Sequence, residues 1–298
     1  MLRRGTYSIV ARDPDTGAVG AAVQSHWFQT GAIVTWAAAG VGAVCTQSVA
    51  DPAYGPRLLE RLAGGEAPRP ALDALLAADQ VSNYRQVAVV SATGDVAVHT
   101  GADCIAFAGH EQGDGFSAQA NMMSSPGVWP AMAAAFRVAE GPLARRLLAA
   151  LDAAEGAGGD VRGRQSAALV VAPAQGDPWH KSVDLRVDDH SEPLAELRRL
   201  LDLNDAYAAA TEGDDLSGEH RHDEAGAAYR RAADLAPENH ELLFWSGLAV
   251  FALGDTEDGL ARVRRAIEMQ PGWAELLPRL SEDIAPSAPA VSRELGLI

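Results

Sequence analysis

Two β-type segments separated by a short turn open the chain, and this pair constrains the fold more than any other feature of the sequence. The first segment runs from Thr6 to Arg12 and the second from Ala18 to His26, and both are rich in β-branched or small residues. The turn between them, Asp13–Gly17, contains the Asp, Pro and Gly residues that favour chain reversal. The pattern therefore predicts an antiparallel hairpin within a sheet.

The length of the turn sets the expected register of this hairpin. If Arg12 pairs with Ala18, Thr6 lies opposite Gln24 at the open end of the hairpin. A slip of one or two residues changes the partner of Thr6 but not its neighbourhood. The residues expected close to Thr6 are Gln24, Ser25 and His26.

Thr6 has a special chemical capacity if it becomes the first residue of the mature chain. Its hydroxyl can then attack a carbonyl, and its own α-amino group, with a pKa of about 7.7–8.0, can accept the proton. The alternative is that Thr6 is an ordinary β-branched residue that opens a strand.

Length, charge and cysteine content limit the classes of function. A chain of 298 residues is typical of two domains, and its net charge of −16 argues against binding to nucleic acid or to anionic membranes. Cys45 and Cys104 belong to no paired motif, which fits a reducing compartment. No secretory apolar region and no run of ~18 apolar residues is present. We therefore expect a soluble cytoplasmic protein.

From Thr6 to about Val187, β-type and helical segments alternate. Beyond the hairpin, strands are predicted at Ile33–Trp36, Gly42–Gln47, Gln86–Ser91, Val96–His99, Ile105–Ala108, Phe116–Ala120, Ser166–Ala172 and Lys181–Val187. Helices are predicted at Tyr54–Ala63, Pro70–Ala78, Val128–Ala139 and Leu143–Ala154. Their order along the chain fits two sheets with helices on the outside.

A polar turn, Asp188–Pro193, predicts a boundary between a first domain of residues 1–200 and a tail of residues 201–298. The tail contains an internal repeat with a period of 34 residues, which relates Ala232 to Ala266 and Pro237 to Pro271. This period resembles the tetratricopeptide repeat, and Gly247 falls at its helix-packing glycine. Because fewer than about three repeats are present, we expect the tail to pack on the first domain or on another subunit.

Several motifs in the first 200 residues resemble a known family. They are Thr-Tyr-Ser-Ile-Val-Ala-Arg-Asp-Pro at 6–14, Gln-Ser-His-Trp-Phe at 24–28, Gly-Val-Gly-Ala-Val-Cys-Thr-Gln at 40–47, Tyr-Gly-Pro at 54–56, Gln-Ala-Asn-Met at 119–122 and the segment 158–169. Together they resemble domain of unknown function 1028, which is grouped with the N-terminal-nucleophile (Ntn) hydrolases. The resemblance implies an α+β fold, a four-layer αββα sandwich, and a nucleophilic Thr6.

The chain departs from the family pattern at two places. Members typically begin Met-Thr, whereas five residues, 1–5, precede Thr6 here. Two alternatives account for this leader. One is self-cleavage between Gly5 and Thr6, and the other is a start codon assigned upstream of the natural one. The second departure is Ala120, which stands where the family often has Gly before the Asn.

The resemblance also implies roles for residues around Thr6. Asn121 is expected to donate to the oxyanion, Ser25 to bond the Thr6 amine, and His26 to tune the base or bind substrate. The expected substrate-binding residues are Gln47, Asp160, Arg164 and Gln165. Each has a structural alternative: Asn121 as a chain-turning residue, His26 as a packing residue, and the 160–165 loop as a turn with a salt bridge.

The remaining polar residues argue against metal and lysine chemistry. The spacings between His99, Cys104 and His110 match no compact zinc motif, so neither a metal nor another cofactor is expected. The single lysine, Lys181, argues against a Thr/Asp/Lys arrangement. We expect an amide hydrolase that acts on a small amide or peptide-derived substrate and forms a homo-oligomer. The alternative is a non-catalytic scaffold whose helical tail binds a protein or peptide partner.

Overall fold

A computed structural model describes residues 5–298, so Met1–Arg4 of the leader lie outside the described residues. The chain divides after Arg199 into two compact units. The first is a mixed α+β unit that contains all the strands found in residues 5–298, and the second, Leu200–Ile298, is helical.

The first unit contains ten strands and five helices within the described residues. The strands are β1 Thr6–Arg12, β2 Val19–Ser25, β3 Thr35–Ala38, β4 Gly42–Ser48, β5 Arg85–Ser91, β6 Val96–Thr100, β7 Gly109–Gly113, β8 Phe116–Asn121, β9 Ser166–Ala172 and β10 Val183–Val187. The helices are α1 Gly31–Val34, α2 Tyr54–Ala63, α3 Pro68–Ala78, α4 Val128–Val138 and α5 Leu143–Gly156. A sixth helix, α6 Pro193–Gly218, crosses the division between the units.

The strands form two antiparallel sheets. The six-stranded sheet has the order β10-β9-β2-β1-β8-β7, and the four-stranded sheet has the order β3-β4-β5-β6. The predicted hairpin is present, but its register differs by one residue: Arg12 pairs with Val19, and Thr6 pairs with Ser25. The turn is longer than predicted because the Asp13 amide donates to the Ala18 carbonyl at 2.8 Å, which makes Ala18 part of the turn.

The two sheets share one apolar core, which places them face to face. Val10 and Val23 of the six-stranded sheet belong to the same buried cluster as Cys45, Ala88 and Val90 of the four-stranded sheet. Helices α2 and α3 cover the outer face of the smaller sheet, and α4 and α5 contact the strands of the larger one. Because both faces of each sheet are covered, the strands β2, β4, β5 and β9 are buried along their whole length.

One predicted strand, Ile33–Trp36, begins later than expected, and another, Ile105–Ala108, is absent. Residues Gly31–Val34 form a helical turn, closed by the Val34 amide donating to Thr30 O at 3.0 Å, and β3 begins only at Thr35. The segment predicted as strand Ile105–Ala108 is a loop that bonds to the chain just beyond β8, and β7 starts after it.

The second unit consists of the C-terminal part of α6 and further helices. These are α7 His222–Leu235, α8 His240–Ala252, α9 Thr256–Met269, α10 Gly272–Leu276 and α11 Ala288–Glu294. Gly247 lies where α8 crosses α9, and a Cβ there would come within 2.9 Å of the Gly259 carbonyl. Phe244 is fully buried in the core of this unit. Within residues 5–298, no helix combines the length and apolar character needed to cross a bilayer.

Candidate active site

Three neighbouring strands bring one polar residue each to the same end of the larger sheet. Thr6 begins β1, and it pairs with Ser25 at the end of β2 and with Asn121 at the end of β8. Residues paired across antiparallel strands point to the same face, so the three side chains form one row. All three are at most 1% exposed, which places this row inside the protein.

Short hydrogen bonds connect the row to the peptide group before Thr6. The Thr6 hydroxyl donates to Ser25 Oγ at 3.1 Å, and Ser25 Oγ donates to the Gly5 carbonyl at 2.5 Å. The Arg162 guanidinium donates a second bond to the same carbonyl, with 2.9 Å between Nη2 and O. Two donors, one of them charged, therefore polarise the carbonyl that immediately precedes Thr6.

A buried ion pair holds the guanidinium of Arg162 in place. Asp160, whose side chain is fully buried, accepts from Arg162 Nη2 at 2.8 Å and from Nε at 3.1 Å. The same carboxylate accepts from the backbone amides of Arg162 at 2.9 Å and His26 at 3.3 Å. Four donors thus satisfy one buried carboxylate, as buried charges require.

The ion pair also leaves no room for a side chain before Thr6. A Cβ at Gly5 would lie 2.7 Å from Asp160 Oδ2 and 2.8 Å from Met122 Cβ. Glycine is therefore the residue that fits at this position without displacing the Asp160 carboxylate.

Behind Thr6, side-chain amides of the two sheets form a buried network. Gln47 Nε2 donates to the Thr6 carbonyl at 3.2 Å and to Gln86 Oε1 at 2.7 Å. Asn121 Nδ2 donates to the same Gln86 oxygen at 3.0 Å and weakly to the Thr6 carbonyl at 3.5 Å. Ser8 donates to Gln47 Oε1 at 2.6 Å. Every amide of this network has a partner, so the network fixes the position of Thr6 from behind.

Two residues near Asn121 have strained backbone conformations. Met122 and Ser48 have positive φ angles of 58° and 69°, a conformation that non-glycine residues rarely adopt. Both residues line a small cavity that also contacts Asn121. Non-glycine residues are held in such conformations mainly at functional sites, where the surroundings over-determine the backbone.

The other expected site residues lie at the edge of the Thr6 row or away from it. His26 is exposed, and its Nδ1 lies 3.3 Å from the Arg164 carbonyl. The Arg164 guanidinium pairs with Glu155 at 3.1 Å and with Glu192, and Gln165 donates to Asp189 at 3.1 Å. Thus Ser25, Asn121, Gln47 and Asp160 gather around Thr6, whereas the side chains of Arg164 and Gln165 bond elsewhere.

Tyr7 shows that the two faces of β1 have different environments. Its side chain points to the face opposite Thr6 and donates to Glu155 Oε2 at 2.6 Å. Burial, together with the negative charge of Glu155, raises the pKa of Tyr7 well above its ordinary value. The phenol therefore stays protonated at neutral pH and is not a base for the Thr6 hydroxyl.

Sequence analysis missed Arg162 and Gln86. Arg162 lies in the same charged loop as the predicted Arg164. Its position two residues after Asp160, as an opposite charge, is the feature of the sequence that indicates an ion pair. Gln86 directly precedes the apolar run Val87–Val90 of β5, and a polar residue buried beside such a run is the signal that marks it.

The three residues considered for zinc bond to protein groups instead. His99 Nε2 lies 2.9 Å from the Ser82 carbonyl, His110 Nδ1 lies 2.9 Å from Thr100 Oγ1, and Cys104 Sγ donates to the Arg85 carbonyl. Across residues 5–298, no three His, Cys, Asp or Glu side chains are grouped closely enough to hold a metal ion.

Comparisons with known proteins agree on one family. The profile described as "Family of unknown function (DUF1028)" matches residues 6–197. A crystal structure of a protein of the same family from Silicibacter pomeroyi is similar, with a TM-score of 0.61 and 33% identity over 66% of this chain and 88% of that one. Anbu (ancestral beta-subunit) from Yersinia bercovieri is a distant neighbour, with a TM-score of 0.35 and 12% identity over 65% of this chain and 91% of that one. No curated protein matches the sequence. The matched residues include the whole Thr6 row and its ion pair, and the chain belongs to the DUF1028 family.

Proposed function

We propose that the N-terminal unit is an Ntn-type amide hydrolase in which Thr6 Oγ1 is the nucleophile. The observation that carries this proposal is the double hydrogen bond to the Gly5 carbonyl from Ser25 Oγ and Arg162 Nη2, next to the Thr6 hydroxyl. This arrangement has the parts of an acyl-transfer site: a hydroxyl nucleophile, a polarised carbonyl and preorganised donors.

The first reaction of this site is proposed to be cleavage of its own chain. Thr6 Oγ1 attacks the Gly5 carbonyl carbon, the Gly5–Thr6 C–N bond breaks, and the hydroxyl proton passes to the departing Thr6 nitrogen. Water then hydrolyses the ester to give a Gly5 carboxyl group and a free Thr6. Charge on the Gly5 oxygen during attack is stabilised by Ser25 and Arg162, whose bonds to that oxygen measure 2.5 and 2.9 Å.

The second reaction is hydrolysis of an external amide. The free α-amine of Thr6 takes the proton from Oγ1 as that oxygen attacks the substrate carbonyl, and water later releases the acyl group. Asn121, at the same level of the sheet, donates to the oxyanion, while Gln86 and Gln47 act as positioning residues for Asn121 and Thr6. The proposed substrate is a small amide or a peptide-derived one, because Thr6 lies in a buried row.

We also propose a fold class for the first unit and a role for the helical tail. Two face-to-face sheets between helix pairs support an Ntn-type αββα sandwich. The close crossing of α8 and α9 at Gly247 supports a tetratricopeptide-like tail, residues 201–298, with a role in assembly or in binding a protein or peptide. A cytoplasmic location and a homo-oligomer belong to the proposal as well.

Labelling with an electrophile tests the nucleophile. Full-length protein is treated with a β-lactone probe, and the modified residue is mapped by peptide mass spectrometry. We expect modification at Thr6 in the wild type and in Thr93→Ala, which makes the same chemical change in an exposed turn. Thr6→Ala should not be labelled. Modification at another residue, or equal labelling of Thr6→Ala, would show that Thr6 is not the nucleophile.

A non-catalytic scaffold with a partner-binding helical tail is the second candidate. As long as the Gly5–Thr6 peptide bond is present, Thr6 has no free amine and the amine-base mechanism cannot operate. A chain that keeps residues 1–5 and is not labelled by the β-lactone fits this candidate.

A further inference from the structure

A cavity of about 530 Å³ opens within the C-terminal unit, far along the chain from the Thr6 row. One face of α6 forms one wall, and parts of α7, α8 and the segment 284–287 complete the lining. This volume is within the range of sites that bind small molecules. The proposed hydrolase mechanism makes no use of it.

The polar groups of the lining have one sign of charge. Glu241 and Asp214 line the cavity, and no Lys, Arg or His is among its lining residues. Each carboxylate accepts from a tyrosine that also lines the cavity: Tyr207 donates to Glu241 at 2.5 Å, and Tyr229 donates to Asp214 at 2.7 Å. In the described part of the chain, neither carboxylate forms an ion pair with a basic side chain. The cavity therefore presents two negative charges that the protein does not neutralise.

The two carboxylates are associated with positions two turns apart on α6. Tyr207, which holds Glu241, and Asp214 are seven positions apart on α6, a rise of about 10 Å along the helix axis. This backbone spacing fits an extended molecule with a charge at each end better than a single point charge.

Two further residues of the lining, both on α8, favour a cationic ligand with an apolar body. Ser246 is 1% exposed, and its Oγ has no hydrogen-bond partner. A buried hydroxyl without a partner costs free energy that a bound donor recovers. Beside it, the partly exposed Trp245 indole offers an aromatic face of the kind that attracts cations and packs against methylene groups.

We propose that this cavity binds a linear organic dication, a diamine or polyamine whose ammonium groups bond to Glu241 and Asp214. The alkyl chain packs against Trp245, and Ser246 Oγ accepts from an N–H of the ligand. The proposal is independent of the chemistry at Thr6, because all of its residues belong to the C-terminal unit.

Isothermal titration calorimetry of the full chain tests this site, with spermidine and cadaverine as probes. Pentylamine has one charged end and glutarate has the opposite charge, so we expect weaker binding of pentylamine and no binding of glutarate. Asp214→Asn and Glu241→Gln should each weaken spermidine binding by about tenfold or more, the effect of losing a charge-assisted hydrogen bond. Glu282→Gln makes the same change of charge at an exposed residue outside the lining and should leave Kd within about twofold.

The variant Ser246→Ala separates a ligand contact from a structural role. Because the hydroxyl has no partner in the protein, we expect its removal to leave the melting temperature of the unliganded protein unchanged or higher. The same variant should bind spermidine several-fold more weakly. Equal weakening by Glu282→Gln and Asp214→Asn would overturn the proposal, since it would show only general attraction to an acidic protein. Absence of spermidine binding, or binding of a lysine-rich peptide alone, would overturn it as well.

Discussion

Replacement of Asp160 by Asn removes the charge that holds Arg162 against the Gly5 carbonyl. The Asp160 side chain is fully buried, whereas Arg162 is 27% exposed. Breaking a fully buried pair costs about 3–5 kcal/mol, and partial hydration of Arg162 reduces this to about 2 kcal/mol. For a unit of about 200 residues, that loss lowers the melting temperature by about 4–8 °C.

Asp73→Asn is the matched control for this perturbation. It removes the same charge from an Asp–Arg pair whose side chains are 56% and 49% exposed. An exposed pair contributes at most about 0.5 kcal/mol, so its melting temperature should fall by about 2 °C or less. Differential scanning calorimetry of the full chain resolves the two effects. Equal shifts of the melting temperature for Asp160→Asn and Asp73→Asn would refute the claim that the buried Asp160–Arg162 pair stabilises the fold.

Three further predictions concern catalysis, pH and thiol reactivity. Asn121→Ala should leave Thr6 open to the β-lactone but slow turnover of an amide found by library screening by about a hundredfold or more. Burial opposes ionisation of Asp79, but hydrogen bonds from Arg85 and the backbone outweigh it and hold its pKa below the ordinary value. That stabilisation is complete above the unfolded pKa of about 3.9 and is lost as the pH falls through the lower folded pKa. Below about pH 4, the melting temperature of Asp79→Asn should therefore fall less steeply than that of the wild type. Parallel curves of melting temperature against pH would contradict the assignment. Burial raises the pKa of Cys45 to about 12, so iodoacetamide at neutral pH should modify this thiol only after denaturation, and fast labelling of the native protein would contradict its burial.

The local sequence pattern was sufficient to predict much of the secondary structure of the first unit. Helix Tyr54–Ala63 and strand Ser166–Ala172 have the predicted bounds, because the helix is an amphipathic pattern that ends at Gly64 and the strand is an apolar run that ends at Pro173. The resemblance to one family is confirmed over residues 6–197. The error of one residue in the hairpin register arose in the turn, where a hydrogen bond adds Ala18 to the loop. Turn length decides register, and composition alone does not determine it.

The candidate site was only partly predictable, because its contacts join distant parts of the chain. Pairing of Thr6 with Ser25 follows from the hairpin within one residue. The bond from Arg162 to the Gly5 carbonyl spans 157 positions and depends on the path of a loop. The sequence therefore predicted the neighbouring Arg164 as the binding residue, whereas in the structure Arg164 pairs with Glu155.

The intact mass of the protein expressed from Met1 shows directly whether the Thr6 hydroxyl removes the leader. We expect the wild type to lose residues 1–5 and begin at Thr6, Thr6→Ser to be cleaved as well, and Thr6→Ala to keep the full leader. Expression from Met1 separates self-cleavage from a misassigned start codon, since only self-cleavage removes the leader in a manner that depends on the Thr6 hydroxyl. A wild-type protein that hydrolyses an amide while keeping residues 1–5, or a Thr6→Ala variant that loses them, would contradict the account.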